Sequence, residues 1–199
     1  MAKKVDHEQR KREIAEKALR LFSQVGYDNV SLIMIAAACG VSRTVLYRYF
    51  CSKREVMDAS IQQVVDVIES RCTKIISSRA KASEKLIGVC HAVAEEMFAH
   101  REFVIAVFDF VVGMVRAGAD MNNRISEYTS GTRNAIKLLV THGKKAGEFP
   151  EILLEERTAD AIYAELESCA MRIVLNTERN ANAAKVRFSD IIRAITNWK

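Results

Sequence analysis

Apolar residues recur every three to four positions along most of the chain and nowhere alternate strictly, which is the period of amphipathic helices rather than of strands. Ile14, Ala15, Ala18, Leu19, Leu21 and Phe22 make the first stripe, and Gly26 suits the left-handed residue that follows a helix end. Ser31 is a good N-cap for a short second helix through Ala38. Cys39-Gly40-Val41 reads as a tight turn, after which Ser42 caps a third helix, Arg43 to Phe50. Val56, Ile61, Val64, Val65, Ile68, Cys72, Ile75 and Ile76 keep helical spacing across a fourth element, from Ser52 to about Ser78. At the standard rise such a helix is about 39 Å long, enough to link two domains.

The same periodicity predicts helices over Ser83 to His100, Glu102 to Arg116, Met121 to Lys145, Glu155 to Thr177 and Asn182 to Trp198. Gly147 to Pro150 is the clearest break, because a helix ends before a proline. One proline and eight glycines in 199 residues cannot supply the many turns of a sandwich or barrel. The predicted fold class is all-α.

Hydrophobic residues make up 49% and charged residues 28%, so the chain is an ordinary globular one and not a disordered one. Its net charge of +5 is unevenly placed. Residues 1–55 hold 11 Lys+Arg against 6 Asp+Glu, whereas the remaining 19 and 19 cancel. A basic end on a neutral body points to a polyanion partner or to a solvated basic face. The charged opening from Met1 to Leu19 has no apolar run of the secretory kind, and Phe103 to Val115 is too short to span a membrane. Cys39, Cys51, Cys72, Cys90 and Cys169 are odd in number and scattered. Free thiols in a reducing, cytoplasmic compartment are expected.

Two short helices joined by three residues with a glycine form the helix-turn-helix layout, whose second helix enters the DNA major groove. Here the resemblance becomes concrete. Ile14-Ala15, Ala18, Leu21-Phe22, Gly26-Tyr27, Ser31, Ile35-Ala36, Gly40-Val41-Ser42, Leu46-Tyr47-Arg48-Tyr49-Phe50 and Ser52-Lys53 resemble the N-terminal domain of the TetR/AcrR family of transcriptional regulators. The likeness covers about residues 8–68, with the motif at 31–50, and leaves 69–199 as a C-terminal ligand-binding and dimerisation domain. It implies a homodimeric regulator, usually a repressor released by a small molecule, bound to a pseudo-palindromic duplex. Tyr47, Tyr49 and Lys53 fall where the family commonly places DNA-backbone contacts, and Arg43, Thr44 and Arg48 fall on its recognition helix. Ile33, Met34, Ala37 and Ala38 depart from the family, which often has polar residues there, and Thr44-Val45 stands where it often has Gly-Thr.

Helix geometry gives an independent reading of the third helix. With Leu46 pointing inward, Phe50 lies about 40° away and is also inward, while Thr44 and Arg48 lie about 160° and 200° round, facing out. An outward arginine can bond guanine O6 and N7 together. Tyr47 and Val45 occupy the flanks, and Tyr49 is either core or phosphate contact. Lys53 adds charge at the start of the next helix, and the caps Ser31 and Ser42 complete the DNA-facing set. Lys3, Lys4, Arg10, Lys11 and Arg12 make a candidate electrostatic arm.

The neutral body should be a bundle with room for an effector. Candidate lining residues are Val89, Val93 and Met97, with Phe108, Asp109, Tyr128, Tyr163 and Leu166. Asp109 sits inside an apolar run, and a buried carboxylate needs a partner, either from its own chain or from a cationic group on an effector. Given the resemblance, the last two helices form the dimer interface, with Ile162, Ala170 and Ile173 on one stripe and Phe188, Ile191 and Ile195 on the other. His7, His91, His100 and His142 show no metal-ligand spacing, and no nucleotide-binding or hydrolase fingerprint occurs, so neither metal nor cofactor is expected. A DNA-binding regulator is the first reading. A helical protein–protein adaptor is the alternative, and an all-α enzyme is disfavoured because no acid–base pair or activated nucleophile can be named.

Overall fold

The computed structural model describes residues 2–197, so Trp198 and the side chains of Lys3 and Lys4 lie outside the described residues. Within them the chain forms nine helices and no strand: α1 (Ala2–Val25), α2 (Leu32–Cys39), α3 (Arg43–Tyr47), α4 (Lys53–Ile76), α5 (Ala82–Ala99), α6 (Arg101–Arg116), α7 (Asn122–Lys145), α8 (Glu155–Val174) and α9 (Asn182–Thr196). No helix among the described residues is long and apolar enough to cross a membrane.

Most boundaries fall within two residues of the sequence expectation, and three departures have a local reason. Helix α1 reaches back well before its apolar stripe, and its polar positions carry i,i+3 and i,i+4 pairs, Arg10–Glu13 at 2.6 Å and Arg20–Glu16 at 2.7 Å. Helix α3 stops at Tyr47 rather than Phe50, because Arg48 N bonds Val45 O at 3.1 Å and Tyr49 N bonds Leu46 O at 2.9 Å. This tightened turn rolls Phe50 inward beside Leu46. Helix α8 ends at Val174, where Asn176 takes a left-handed φ of 54° and Thr177 N reaches back to Arg172 O.

The helices pack as two units. One comprises the chain up to Asp66 together with Glu102–Asn122, and the other comprises Val67–Arg101 with the chain from Asn123 onward. In the first unit, Ile14, Ala18 and Phe22 of α1 share a core with Ile35 and Ala36 of α2, Leu46 of α3, Phe50, and Val56 and Met57 of α4. Ser60 is buried there and its hydroxyl lies 2.9 Å from both the Ala15 and Val56 carbonyls, a polar stitch between α1 and α4. Helix α6 joins this unit through Phe110, whose ring lies 4.7 Å from Tyr27.

In the second unit α5 is the central helix, packed on α8 and α9 through Leu86, Val89, Cys90, Ile162, Cys169 and Phe188. A seam of charges runs beside that core: Arg71 pairs with Glu95 and Glu96, Lys185 with Glu95, and Arg187 with Glu165 and Glu178. Glu148, in the turn after α7, accepts from the Ala82 and Ser83 amides at 2.9 Å each and thereby caps α5 from a distant point in sequence. All five cysteines are free, and only Cys51 is exposed.

Candidate nucleic-acid interface

The two helices of the motif are built by their first residues. Ser31 Oγ accepts from Met34 N at 3.2 Å and Ser42 Oγ accepts from Val45 N at 3.3 Å, each satisfying an orphan amide of the first turn. Both serines therefore spend an acceptor on capping while the hydroxyl proton stays available for a phosphate. Between the helices Gly40 adopts φ 67°, and its neighbours close the turn with Val41 N on Ala36 O at 3.0 Å. A side chain there would be strained, so the sharp reversal depends on glycine.

On α3 and the turn that follows it the inward and outward assignments agree with the helix geometry. Leu46 and Phe50 are buried, while Arg43, Thr44, Tyr47 and Arg48 are exposed and Val45 is half-buried. Among the described residues, no hydrogen bond or ion pair engages the side chains of Arg43, Thr44 or Arg48, so their donors face water unspent. Phe50 anchors the end of the motif, with the Lys11 ammonium 5.6 Å from its ring centre. Tyr49 is half-buried against the ring of His7, 4.7 Å away, with an interplanar angle of 33°.

Lys53 is employed differently. Its ammonium donates to the Tyr27 carbonyl at 2.9 Å and the Asp28 carbonyl at 3.3 Å, and stands 4.2 Å from the Tyr27 ring centre. Burial pulls its pKa below the ordinary lysine value, although Asp28 opposes the shift. The lysine pins the start of α4 to the turn that ends α1. Nothing in the linear pattern marks this role, because the acceptors are backbone carbonyls 25 and 26 residues away.

The family model for bacterial regulatory proteins of the tetR family matches residues 14–59, the span that holds this motif. Residues 14–59 carry the DNA-binding domain of the TetR family. Over 86 residues it is 31% identical to the HTH-type transcriptional regulator HbdR of Aromatoleum sp. (strain CIB), an alignment covering 43% of this chain and 36% of that one. The chain thus spans well under two thirds of that relative's length. The TetR fold extends over nearly the whole chain. The structure of the ketosteroid regulator KstR2 of Mycobacterium tuberculosis matches with a TM-score of 0.68 and 21% identity, covering 95% of this chain and 96% of that one. The regulator FadR of Bacillus subtilis, solved in complex with stearoyl-CoA, matches with a TM-score of 0.76 and 18% identity, covering 93% and 97%. The relatives are regulators, and the DNA-binding reading is supported over the adaptor.

Outside its TetR-family motif the predicted residues are scattered between the two units. Val89, Val93, Tyr163 and Leu166 are buried and Met97 and Tyr128 are half-buried, all in the second unit. Tyr163 lies under the Arg133 guanidinium at 4.2 Å, and burial raises its pKa. Phe108, half-buried, and Asp109 belong to the first unit. Asp109 corrects an expectation: it is exposed, because the apolar run of α6 turns it away from the buried line of Phe103, Ala106 and Phe110. Its carboxylate needs no buried partner.

The predicted interface stripes lie mostly inside the single chain. Ile162, Ala170, Ile173 and Phe188 are buried within the single chain, so they close its own core and offer no surface to a partner. Ile191 and Ile195 are half-buried. The outward sides of α8 and α9 instead carry Met171 and Val186, with Leu175 just past the end of α8. Periodicity finds the most apolar stripe of a helix, and in a bundle that stripe serves the subunit's own core first.

Proposed function

We propose that the chain is an operator-specific transcriptional repressor that binds duplex DNA as a homodimer and is released by a small-molecule effector. The observation that carries this reading is the unspent, exposed set Arg43, Thr44, Tyr47 and Arg48, held on a helix anchored by Leu46 and Phe50. The first 55 residues, which contain it, also hold all of the excess positive charge. Arg48 reads a base edge, Thr44 a neighbouring base, and Tyr47 and Arg43 the phosphates beside them, with the Ser31 and Ser42 hydroxyls at the backbone. Val45 packs at the flank, and Tyr49 offers its hydroxyl at the rim. Lys53 supports the motif from behind.

The effector site belongs to the second unit, around Val89, Val93, Met97, Tyr128, Tyr163 and Leu166. These residues suit an apolar ligand body. Since FadR is solved with stearoyl-CoA, a long-chain acyl-CoA is the first effector to test. Such a ligand acts only if it binds the DNA-free state more tightly than the DNA-bound one. Free thiols and a duplex-DNA partner fit a cytoplasmic protein. Selection of bound sequences from random DNA, repeated after Arg48→Ala, tests the reading. A palindromic consensus that the substitution relaxes supports it; no preference for any duplex over genomic competitor overturns it.

A further inference from the structure

Helix α2 is apolar throughout, Leu-Ile-Met-Ile-Ala-Ala-Ala-Cys, yet only part of it is covered. Ile35, Ala36 and Cys39 turn into the core. The opposite face consists of Ile33 (56% exposed), Met34 (38% exposed), Ala37 and Ala38. Scattered apolar residues on a surface are ordinary, but here two i,i+4 pairs lie side by side with no polar side chain among them. The face begins two residues after the Ser31 cap and belongs to the same turn-linked pair of helices as the reading residues of α3.

We propose that Ile33 and Met34 are specificity-determining residues that pack against thymine methyl groups in the operator. The inference rests on the DNA-binding reading given above. In a helix-turn-helix the first helix crosses the backbone beside the groove that the second enters. Side chains on it therefore reach the groove edge from the strand side. The C5-methyl of thymine is the apolar feature a major-groove edge offers, and it can be recognised by contact alone. Neither Ile33 nor Met34 has a donor, so neither can read guanine, adenine or a phosphate. The occupant that fits a donor-free face on the helix that leads into a DNA-reading helix is a thymine-bearing step in each half-site.

The experiment begins with sequence selection on the full-length protein, which defines the consensus. Each thymine of the selected duplex is then replaced singly by deoxyuridine, which removes only the methyl group, and affinity is read by fluorescence anisotropy. For the wild type, at least one thymine per half-site, outside the position relaxed by Arg48→Ala, loses about fourfold in affinity per methyl. Against Ile33→Ala or Met34→Ala the same replacement has no further effect. Both residues are exposed, so the variants keep the wild-type melting temperature, which is checked alongside. A palindromic consensus with no methyl-sensitive thymine overturns this proposal and leaves the DNA-binding reading intact. Absence of any consensus overturns that reading itself. If Ile33→Asp binds the operator undiminished but shifts the oligomeric mass in gel filtration, the face is a protein interface and the proposal is wrong.

Discussion

Arg48 and Lys53 carry the same charge five residues apart, and their surroundings give them different work. Arg48 is exposed with its guanidinium unengaged, whereas the Lys53 ammonium is held by two backbone carbonyls and the Tyr27 ring. Removing Arg48 should leave the fold untouched and cost about 1–3 kcal/mol at one base position of each half-site, read as relaxed preference in competition binding. Removing Lys53 should do the reverse. In Lys53→Met the Tyr27 and Asp28 carbonyls lose a charged donor, and thermal denaturation should report a loss of about 1–2 kcal/mol. The salt slope of operator binding separates the two roles, since it counts neutralised phosphates. It should stay at the wild-type value in Lys53→Met and become shallower in Arg43→Ala.

At the level of elements, the turn after α7 concentrates two contacts that no local pattern announces. Phe149 folds back over Gly143, and a Cβ placed on that glycine would stand 2.2 Å from the ring. Gly143→Ala adds helix propensity, worth up to about 1 kcal/mol in an open helix, yet here overpacking should win by about 1–3 kcal/mol of net destabilisation in chemical denaturation. Beside it Glu148 caps α5. Burial disfavours its charge, but the Ser83 amide and hydroxyl and the Ala82 amide hold its pKa below the ordinary carboxylate value. A carboxyl group with a depressed folded pKa contributes stability above its unfolded pKa and loses it as pH falls through the folded one. Wild type should therefore lose melting temperature in acid more steeply than Glu148→Gln below about pH 4.3, with the curves parallel above it.

These elements mark the limit of what the sequence discloses. Helix positions were legible from apolar spacing, and the caps Ser31 and Ser42 and the turn at Gly40 from residue type, because each rests on contacts within five residues. The polar half of α1 left no such trace. Nor did the partnership of Phe110 with Tyr27, which joins segments far apart in the chain. In the candidate interface, the outward set on α3 follows from a helical wheel, whereas the employment of Lys53 depends on where a distant turn comes to rest.

For the whole molecule, the proposed homodimer needs a surface that joins two copies. A pseudo-palindromic operator needs a symmetric pair of reading helices. Two substitutions, one in the last turn of α8 and one just past its end, discriminate core from interface. Ile173 has no exposed surface, so Ile173→Ala should destabilise the subunit by about 2–5 kcal/mol while leaving the dimer's mass unchanged at temperatures where it stays folded. Leu175 is 63% exposed in the single chain, so Leu175→Glu costs the isolated subunit little. If the two-fold axis of the proposed dimer runs beside Leu175, however, the new carboxylate would be buried against its own symmetry mate, an arrangement in which like charges repel. Light scattering should then find a folded monomer at micromolar concentration. Operator affinity should fall by about 10²–10⁴-fold, because the second half-site would no longer be engaged at a high effective concentration. Binding to an isolated half-site should be unaltered, since the reading helix itself is untouched. A dimer that survived Leu175→Glu with full operator affinity would exclude an axis beside Leu175 and move it elsewhere on the chain.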